Sequence, residues 1–527
     1  MSRNNLPGTR AVEELGYEAD GAPFGITTRI HAENSEYRFV VSLTGSSLTV
    51  QIAVVDSVVC GDVYLINGQS NSHPTDPLCT YTNEFCRSFG VQTPHFNYDP
   101  YNPADTCWGL ANGDGLGNLF SGPLLTGVWG IRLQQLILES YGIPTCVING
   151  GSGGSNISYN LRNDADPMDL NTAYGRLLYR AVKSRVKESV KGFFWYQGEN
   201  DGYDTASVHN YAARFGALHN SWKEDYPTIE RVYVFQINMG CGEPTDSSYH
   251  GMLREVLRRL PQSYPDVSTL STFGIAGHTG CHFSYEGYTG IAENVFRLVA
   301  KDFYGSFDTT DILPPDITRA YFTDSLKTTL ALEFAQTPEV IWPVDTTLAR
   351  MQDYLYLDGM ARKVTSGYAS GNRIMLSLSS GGGAHTVTYL PNRYYTNTHE
   401  VYEGPFVTNT RGIGALAFDQ FPIDSNAVIA NLPASGEQGP NHFSLQQNYP
   451  NPFNPTTTIS YSVTTRSLVS LTVFDLLGRH VATLANETMS PGAYQVTWDA
   501  TMVAGGVYYC RLEADGQSQT KKLVLLK

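Results

Sequence analysis

No stretch of 18 consecutive apolar residues occurs in this sequence, which excludes a membrane-spanning helix. Charge is scarce: 16% of the 527 residues are Asp, Glu, Lys or Arg. The 35 basic residues are outnumbered by 50 acidic ones, a net charge of −15. That argues against a DNA- or RNA-binding protein, because neutralising phosphates takes a basic face. No cysteine pair has CxxC spacing and no Cys/His cluster has zinc-finger spacing, so a structural zinc is not indicated. The opening MSRNNLPGTR has two arginines but no apolar h-region behind it, and as written it is not a signal peptide.

What is present is a globular composition, 41% hydrophobic, with 50 Gly, 33 Tyr and 27 Pro. That mixture suits a chain with many strands and turns. The length predicts roughly three or four domains. The eight cysteines are Cys60, Cys79, Cys86, Cys107, Cys146, Cys241, Cys281 and Cys510. Cys79 and Cys86 bracket a polar loop and are spaced to close a small ring. Cys241 and Cys281 each follow a predicted strand and are placed to meet across a sheet. The even count fits an oxidising compartment, and buried free thiols are the alternative.

Residues 25–59 alternate apolar and polar (YRFVVSL, LTVQIAVV) and read as a few strands, part of an N-terminal β segment at 1–60. From 61 to 311 strands alternate with helices: DVYLING, PTCVING, GFFWYQG, RVYVFQIN and STFGIAG are separated by helical patterns. This implies βαβ units and a mostly parallel sheet. Functional residues then sit on the loops leaving the C-terminal strand ends. Residues 72–122 show little periodicity and read as an insertion beside that face. Residues 312–425 read as a β-sandwich, 426–442 as a linker and 443–527 as a small all-strand domain.

Four loops carry chemistry. LINGQSNS puts Ser70 just past a strand end, and a serine there becomes a nucleophile if a base is near. INGGSGGSNI offers backbone N–H groups of the kind an oxyanion needs. WYQGEND supplies the amides of Gln197 and Asn200, and HTGCHFSYEGY supplies His282 ahead of a helix.

In this order the four motifs resemble the SGNH/GDSL-like hydrolases, in particular the sialate O-acetylesterase-like carbohydrate esterases. The resemblance implies a three-layer, flavodoxin-like α/β catalytic domain that hydrolyses an ester, typically an acetyl group on a sugar hydroxyl. Ser70 would be the nucleophile and His282 the base. The oxyanion donors would be the Ser70 N–H, Gly153 or Gly154, and Gln197 or Asn200, with Gln197 ranked first. The chain departs from the family at Thr279, where an Asp three residues before the histidine is usual. Glu199, Asp201 and Glu286 are the candidates for a replacement acid. No metal or organic cofactor is expected.

The last segment, with NYPNPFNPTTTISYSV at its head, resembles a type IX secretion C-terminal sorting domain. This implies the type IX machinery as a partner, a bacterial extracellular or cell-surface location, and a signal peptide ahead of residue 1. Trp108, Trp195, Tyr196, Tyr203 and Tyr285 lie in or beside the motif loops and are candidates for stacking on sugar rings. The fold class is therefore a multidomain chain, an α/β catalytic domain followed by two all-β sandwiches. The expected activity is that of a secreted serine esterase removing O-acetyl groups from carbohydrate, on sialate- or acetylxylan-type glycan substrates, by a Ser-His acyl-enzyme mechanism. Two alternatives stay open: a non-catalytic glycan-binding protein, which Thr279 motivates, and an esterase acting on non-carbohydrate esters. The polar character of 72–122 weighs against the latter.

Overall fold

A computed structural model describes residues 2–3, 6–7, 10–15, 24–91, 95–96, 99–115, 120–121, 124–241, 249–345, 349–379, 383–391, 404–424, 443–448, 450–489 and 492–526. The expected linker at 426–442 lies outside these residues. The chain separates into two compact units, Met1–Ile429 and Ala430–Lys527.

The first unit is built on a seven-stranded sheet. Its strands are β1 (Asp62–Gly68), β2 (Cys86–Val91), β3 (Thr106–Leu110), β4 (Thr145–Asn149), β5 (Val190–Tyr196), β6 (Arg231–Gln236) and β7 (Val267–Ser271). The order across the sheet is β7-β6-β5-β1-β4-β2-β3. All neighbours run parallel except the edge strand β3, which pairs antiparallel with β2. The central strands are apolar on both faces (YLI, FFWY, VYVF), as a sheet covered on both sides requires. Five helices connect or follow the strands: α1 (Val128–Tyr141), α2 (Ala173–Lys183), α3 (Thr205–Asp225), α4 (His250–Ser263) and α5 (Tyr285–Tyr304). α1 packs on α5 and α3 on α4. Right-handed crossovers place these pairs on opposite faces, with α2 on the α3 side.

The chain leaves β1 toward β4 and then crosses back to β5. The topological switch point therefore lies at the C-terminal end of β1, where ligands bind in such sheets. Segment 72–122 is not simply an insertion, since it supplies β2 and β3. Those strands carry Arg87, Ser88, Gly90 and Gly109 where sheet interiors favour β-branched residues, which hid them from pattern reading.

An antiparallel hairpin, Tyr37–Thr44 with Thr49–Val58, forms most of the N-terminal sheet. Following the α/β domain, Asp316–Phe322, Thr329–Ala335, Arg373–Leu378 and Val364–Ser370 form one antiparallel sheet. Leu355–Leu357, Thr386–Tyr389 and Phe418–Pro422 form another. Their shared core takes in Met239 and Phe273 from the exits of β6 and β7. The Gln236 amide donates to the carbonyls of Arg254 and Ala417 and accepts from the Ala417 N–H. Arg254, fully buried, donates to the carbonyls of Asn238 and Pro391. These bonds fix the β-rich part to the α/β domain.

The second unit is a sandwich of a three-stranded and a four-stranded sheet. Its core includes Ile459, Val469, Leu471, Val473, Trp498 and Leu512. Phe453, from the Asn/Pro-rich lead-in, is buried and exchanges backbone bonds with Val524 and Leu526 of the last strand region.

Among the described residues no helix is long and apolar enough to cross a membrane, and no cluster of His, Cys, Asp or Glu is arranged to hold a metal ion.

Candidate active site

Gly68 ends β1 at φ +141°, a conformation open to glycine. A Cβ there would lie 2.0 Å from the Tyr196 carbonyl, so only glycine lets β1 leave this close to the end of β5. The chain then enters a single 3-10 turn, Ser70–Ser72. Ser70 opens this turn and is nearly buried, 8% exposed.

The His282 Nε2 lies 2.9 Å from the Ser70 Oγ, across 212 residues of sequence. That is the nucleophile–base contact expected of an activated serine. Burial holds the His282 pKa below its ordinary value, so the ring is neutral and able to accept a proton at neutral pH. Thr279, exposed, donates its hydroxyl (2.9 Å) and its backbone N–H (2.7 Å) to the His282 carbonyl, holding the loop rather than the ring.

None of the three candidate acids bonds the imidazole among the described residues. Glu199 is buried and its Oε1 accepts from the Asn71 amide at 2.7 Å. Asp201 accepts from Gln197, the Ile157 N–H and the Ser207 hydroxyl. Glu286 is exposed in the first turn of α5.

The oxyanion candidates separate by environment. The Gln197 amide is fully buried; its nitrogen donates toward Gln69 Oε1, the Ser155 carbonyl and Asp201, and its oxygen accepts from Tyr211. Asn200 is exposed and its side-chain nitrogen donates to the Gly154 carbonyl at 2.7 Å, which ties the β5 loop to the Gly-rich loop. Gly154 sits at φ +68° in that loop, and Ser152 N–H bonds the Gly68 carbonyl, so Gly153 and Gly154 are held beside the end of β1.

Two residues beside the nucleophile escaped sequence reasoning. The Gln69 side-chain oxygen accepts from Gln197 Nε2 and from the backbone N–H groups of Gly198 and Asn200, pinning the β5 loop to the nucleophile turn. Asn71 donates to Glu199 and to the Cys281 carbonyl and accepts from Tyr288, while its own carbonyl accepts from Trp129. It joins the nucleophile turn to the histidine loop. Both flank Ser70 in GQSN, so their proximity was legible, but their bonding was not.

The Cys241–Cys281 pair is disulfide-bonded, tying the residue before His282 to the exit of β6. Cys79 and Cys86 do not close a ring; both are buried free thiols, pushed up by burial to about 11 and about 12. Of the aromatic candidates, Trp195 and Tyr196 are wholly buried in the core and present no face to a sugar. Trp108 and Tyr203 are about half exposed, at 46% and 43%.

Residues 131–301 match the family model described as carbohydrate esterase, sialic acid-specific acetylesterase. The match, over part of the α/β domain, is to a carbohydrate esterase family. Residues 447–526 match the secretion system C-terminal sorting domain, which marks the esterase for export to the cell surface or the exterior. Comparison with curated protein sequences finds no match. Among solved structures, the esterase is similar to a carbohydrate acetylesterase from Xanthomonas citri, at 18% identity and a TM-score of 0.52, covering 72% of this chain and 84% of that one. That likeness supports the fold. An Arabidopsis thaliana protein matches at 17% identity and a TM-score of 0.35, over 46% of this chain and 99% of that one. A lipase/acylhydrolase from Enterococcus faecalis matches at 10% identity and a TM-score of 0.29, over 46% and 97%.

Proposed function

We propose that the protein is an exported serine esterase that removes O-acetyl groups from carbohydrate through an acetyl-enzyme on Ser70. The observation that carries this is the 2.9 Å contact between His282 Nε2 and Ser70 Oγ at the switch point of the sheet. In the first step Ser70 Oγ attacks the acetyl carbonyl carbon as its proton passes to His282 Nε2. The tetrahedral intermediate collapses, the sugar oxygen leaves, and His282 returns the proton to it. Water then attacks the acetyl-enzyme with His282 again taking the proton, and acetate leaves.

The oxyanion is placed to be met by the Ser70 N–H, which opens the 3-10 turn and has no acceptor within it, and by the N–H groups of the Gly153–Gly154 loop. Asn200, exposed and already touching that loop, is the better third donor. Gln197 serves instead to hold Gln69 and Asp201 in place. His282 works without a bonded carboxylate, its loop held by Thr279, Asn71 and the disulfide. We assign export to the type IX machinery, on the strength of the NYPNPFNPTT lead-in and the sorting domain it opens.

The test is acetate release from p-nitrophenyl acetate and from an acetylated xylan. Ser70→Ala is expected to lose at least about a thousandfold in kcat with an unchanged circular dichroism spectrum. Equal rates for the two folded proteins would remove Ser70 from the chemistry and favour a glycan-binding role without turnover.

A further inference from the structure

The loop that leaves β5 carries an aromatic ring at the rim of the reaction centre. Tyr203 closes the short 3-10 turn Asp201–Tyr203, which follows directly on Asn200. Asn200 touches the Gly-rich loop through the Gly154 carbonyl, and its backbone N–H bonds the side chain of Gln69, the residue before Ser70. On its other side the Tyr203 hydroxyl donates to the Cys241 carbonyl, and Cys241 is disulfide-bonded to Cys281, the residue before His282. Tyr203 therefore stands between the loop tied to the Gly-rich turn and the loop that carries the base.

The ring is fixed in place. His250, buried at the start of α4, meets it edge to face, with ring centres 4.9 Å apart and planes at 87°. His250 is pinned in turn, its Nε2 lying 2.8 Å from the Glu199 carbonyl. A Cβ on Gly202 would lie 2.4 Å from the His250 ring, so glycine is what lets the turn bring Tyr203 this close. Held at its tip and against His250, Tyr203 is nonetheless 43% exposed. The other aromatic residues of the motif loops differ. Trp195 and Tyr196 are sealed in the core, Trp108 lies on the edge strand β3, three positions from β1 in the sheet, and Tyr285 lines a groove between α1 and α5.

An immobilised aromatic face suits one kind of ligand surface. A pyranose ring carries its hydroxyls around its edge and C–H groups on its faces. A flat ring can cover the C–H face while the hydroxyls at the edge stay hydrated. Because Tyr203 is already locked, ordering it on binding costs little.

We propose that Tyr203 is a specificity-determining residue on the alcohol side of the ester. Its exposed face stacks on the C–H face of the sugar ring that bears the acetyl group, so the enzyme prefers acetates of cyclic sugars to acetates of open-chain polyols. The proposal rests on the esterase reading.

The experiment measures acetate release from a monoacetylated methyl xyloside and from monoacetylated xylitol, which present similar hydroxyls with and without a ring face. The readout is the ratio of the two kcat/KM values, ring over open chain. Tyr203→Ser is expected to lower that ratio by about two- to tenfold, the range of an aromatic contact. Tyr203→Phe removes the bond to Cys241 but keeps the face, and is expected to keep the ratio. A ratio that Tyr203→Ser leaves intact overturns the proposal, even if both substrates slow together, because Tyr203 then only braces the disulfide loop. A ratio that falls equally in Tyr203→Phe overturns it too, since the hydroxyl and not the face would be responsible. A second measurement needs no variant: methyl xyloside should inhibit wild-type hydrolysis of p-nitrophenyl acetate at a lower concentration than xylitol, and equal inhibition overturns the proposal. Turnover of p-nitrophenyl acetate by wild type but not by Ser70→Ala separates failure of the stacking assignment from failure of the esterase reading.

Discussion

Placing an aspartate at position 279 should move the pH dependence of this enzyme upward. In the proposed mechanism His282 must be neutral to take the Ser70 proton, so kcat/KM is expected to fall as pH drops through its pKa in the folded protein. Burial lowers that pKa and no carboxylate among the described residues opposes the effect, so the acid limb of the wild type is expected below the ordinary histidine value near 6.5. Thr279→Asp introduces a negative charge three residues before the ring. At about 5 Å and an effective dielectric of about 20, the attraction to an imidazolium is about 3 kcal/mol, or about two pH units. Thr279 is exposed, and solvent screening reduces this to about one unit. The same attraction stabilises the imidazolium that forms during acyl transfer, so kcat above the limb should rise by about tenfold. The assay is kcat/KM for p-nitrophenyl acetate from about pH 4 to pH 9 for wild type, Thr279→Asp and Thr279→Asn. The asparagine keeps the size without the charge and should leave the limb in place. A limb that stays put or moves down in Thr279→Asp would refute the view that His282 works without an acid partner.

Other perturbations test the scaffold around the site. Reducing the Cys241–Cys281 bond, or Cys281→Ser, should lower kcat and cost up to about 4 kcal/mol for a sequence separation of 40, read as a drop in Tm; unchanged Tm and kcat after reduction would show that the bond holds nothing. Asn71→Ala removes three side-chain hydrogen bonds, two of them buried, and should destabilise by about 3 kcal/mol, with kcat falling more than KM rises; a loss of stability with normal kcat would limit Asn71 to a packing role. Arg254→Met strands the carbonyls of Asn238 and Pro391 and should lower Tm by an amount equivalent to about 2–4 kcal/mol while leaving kcat per folded molecule unchanged.

The parts of this protein that a linear reading captures are those written in contiguous residues. GQSN, GGSGGS, QGEND and GCHF each sit on one loop, and their order along the chain fixes the order of the strand exits, so Ser70 and His282 could be paired before any coordinates. Runs such as FFWY and VYVF declare buried parallel strands by composition alone. Contacts that depend on side-chain direction were out of reach. Gln197 and Asn200 lie three residues apart on one turn, yet one is sealed in the core against Asp201 and the other is open to the Gly-rich loop. Asp201 and Glu199 have the chemistry of a triad acid but are turned to Ser207 and Asn71. Strand β2 lacks the apolar alternation that marks a strand because Arg87, Ser88 and Gly90 occupy half of its six positions.

The disulfide beside His282 also sets a schedule. A chain still in a reducing cytoplasm has Cys241 and Cys281 as thiols, and the loop carrying the base then lacks its tether to β6. The remaining described cysteines are free, most of them buried, so oxidation at the surface has one structural product to make. If Ser70 and His282 act as proposed, competence to cleave esters is coupled to departure: the nucleophile is encoded from the start, but its partner is locked into place only once the chain has left the compartment in which it was synthesised.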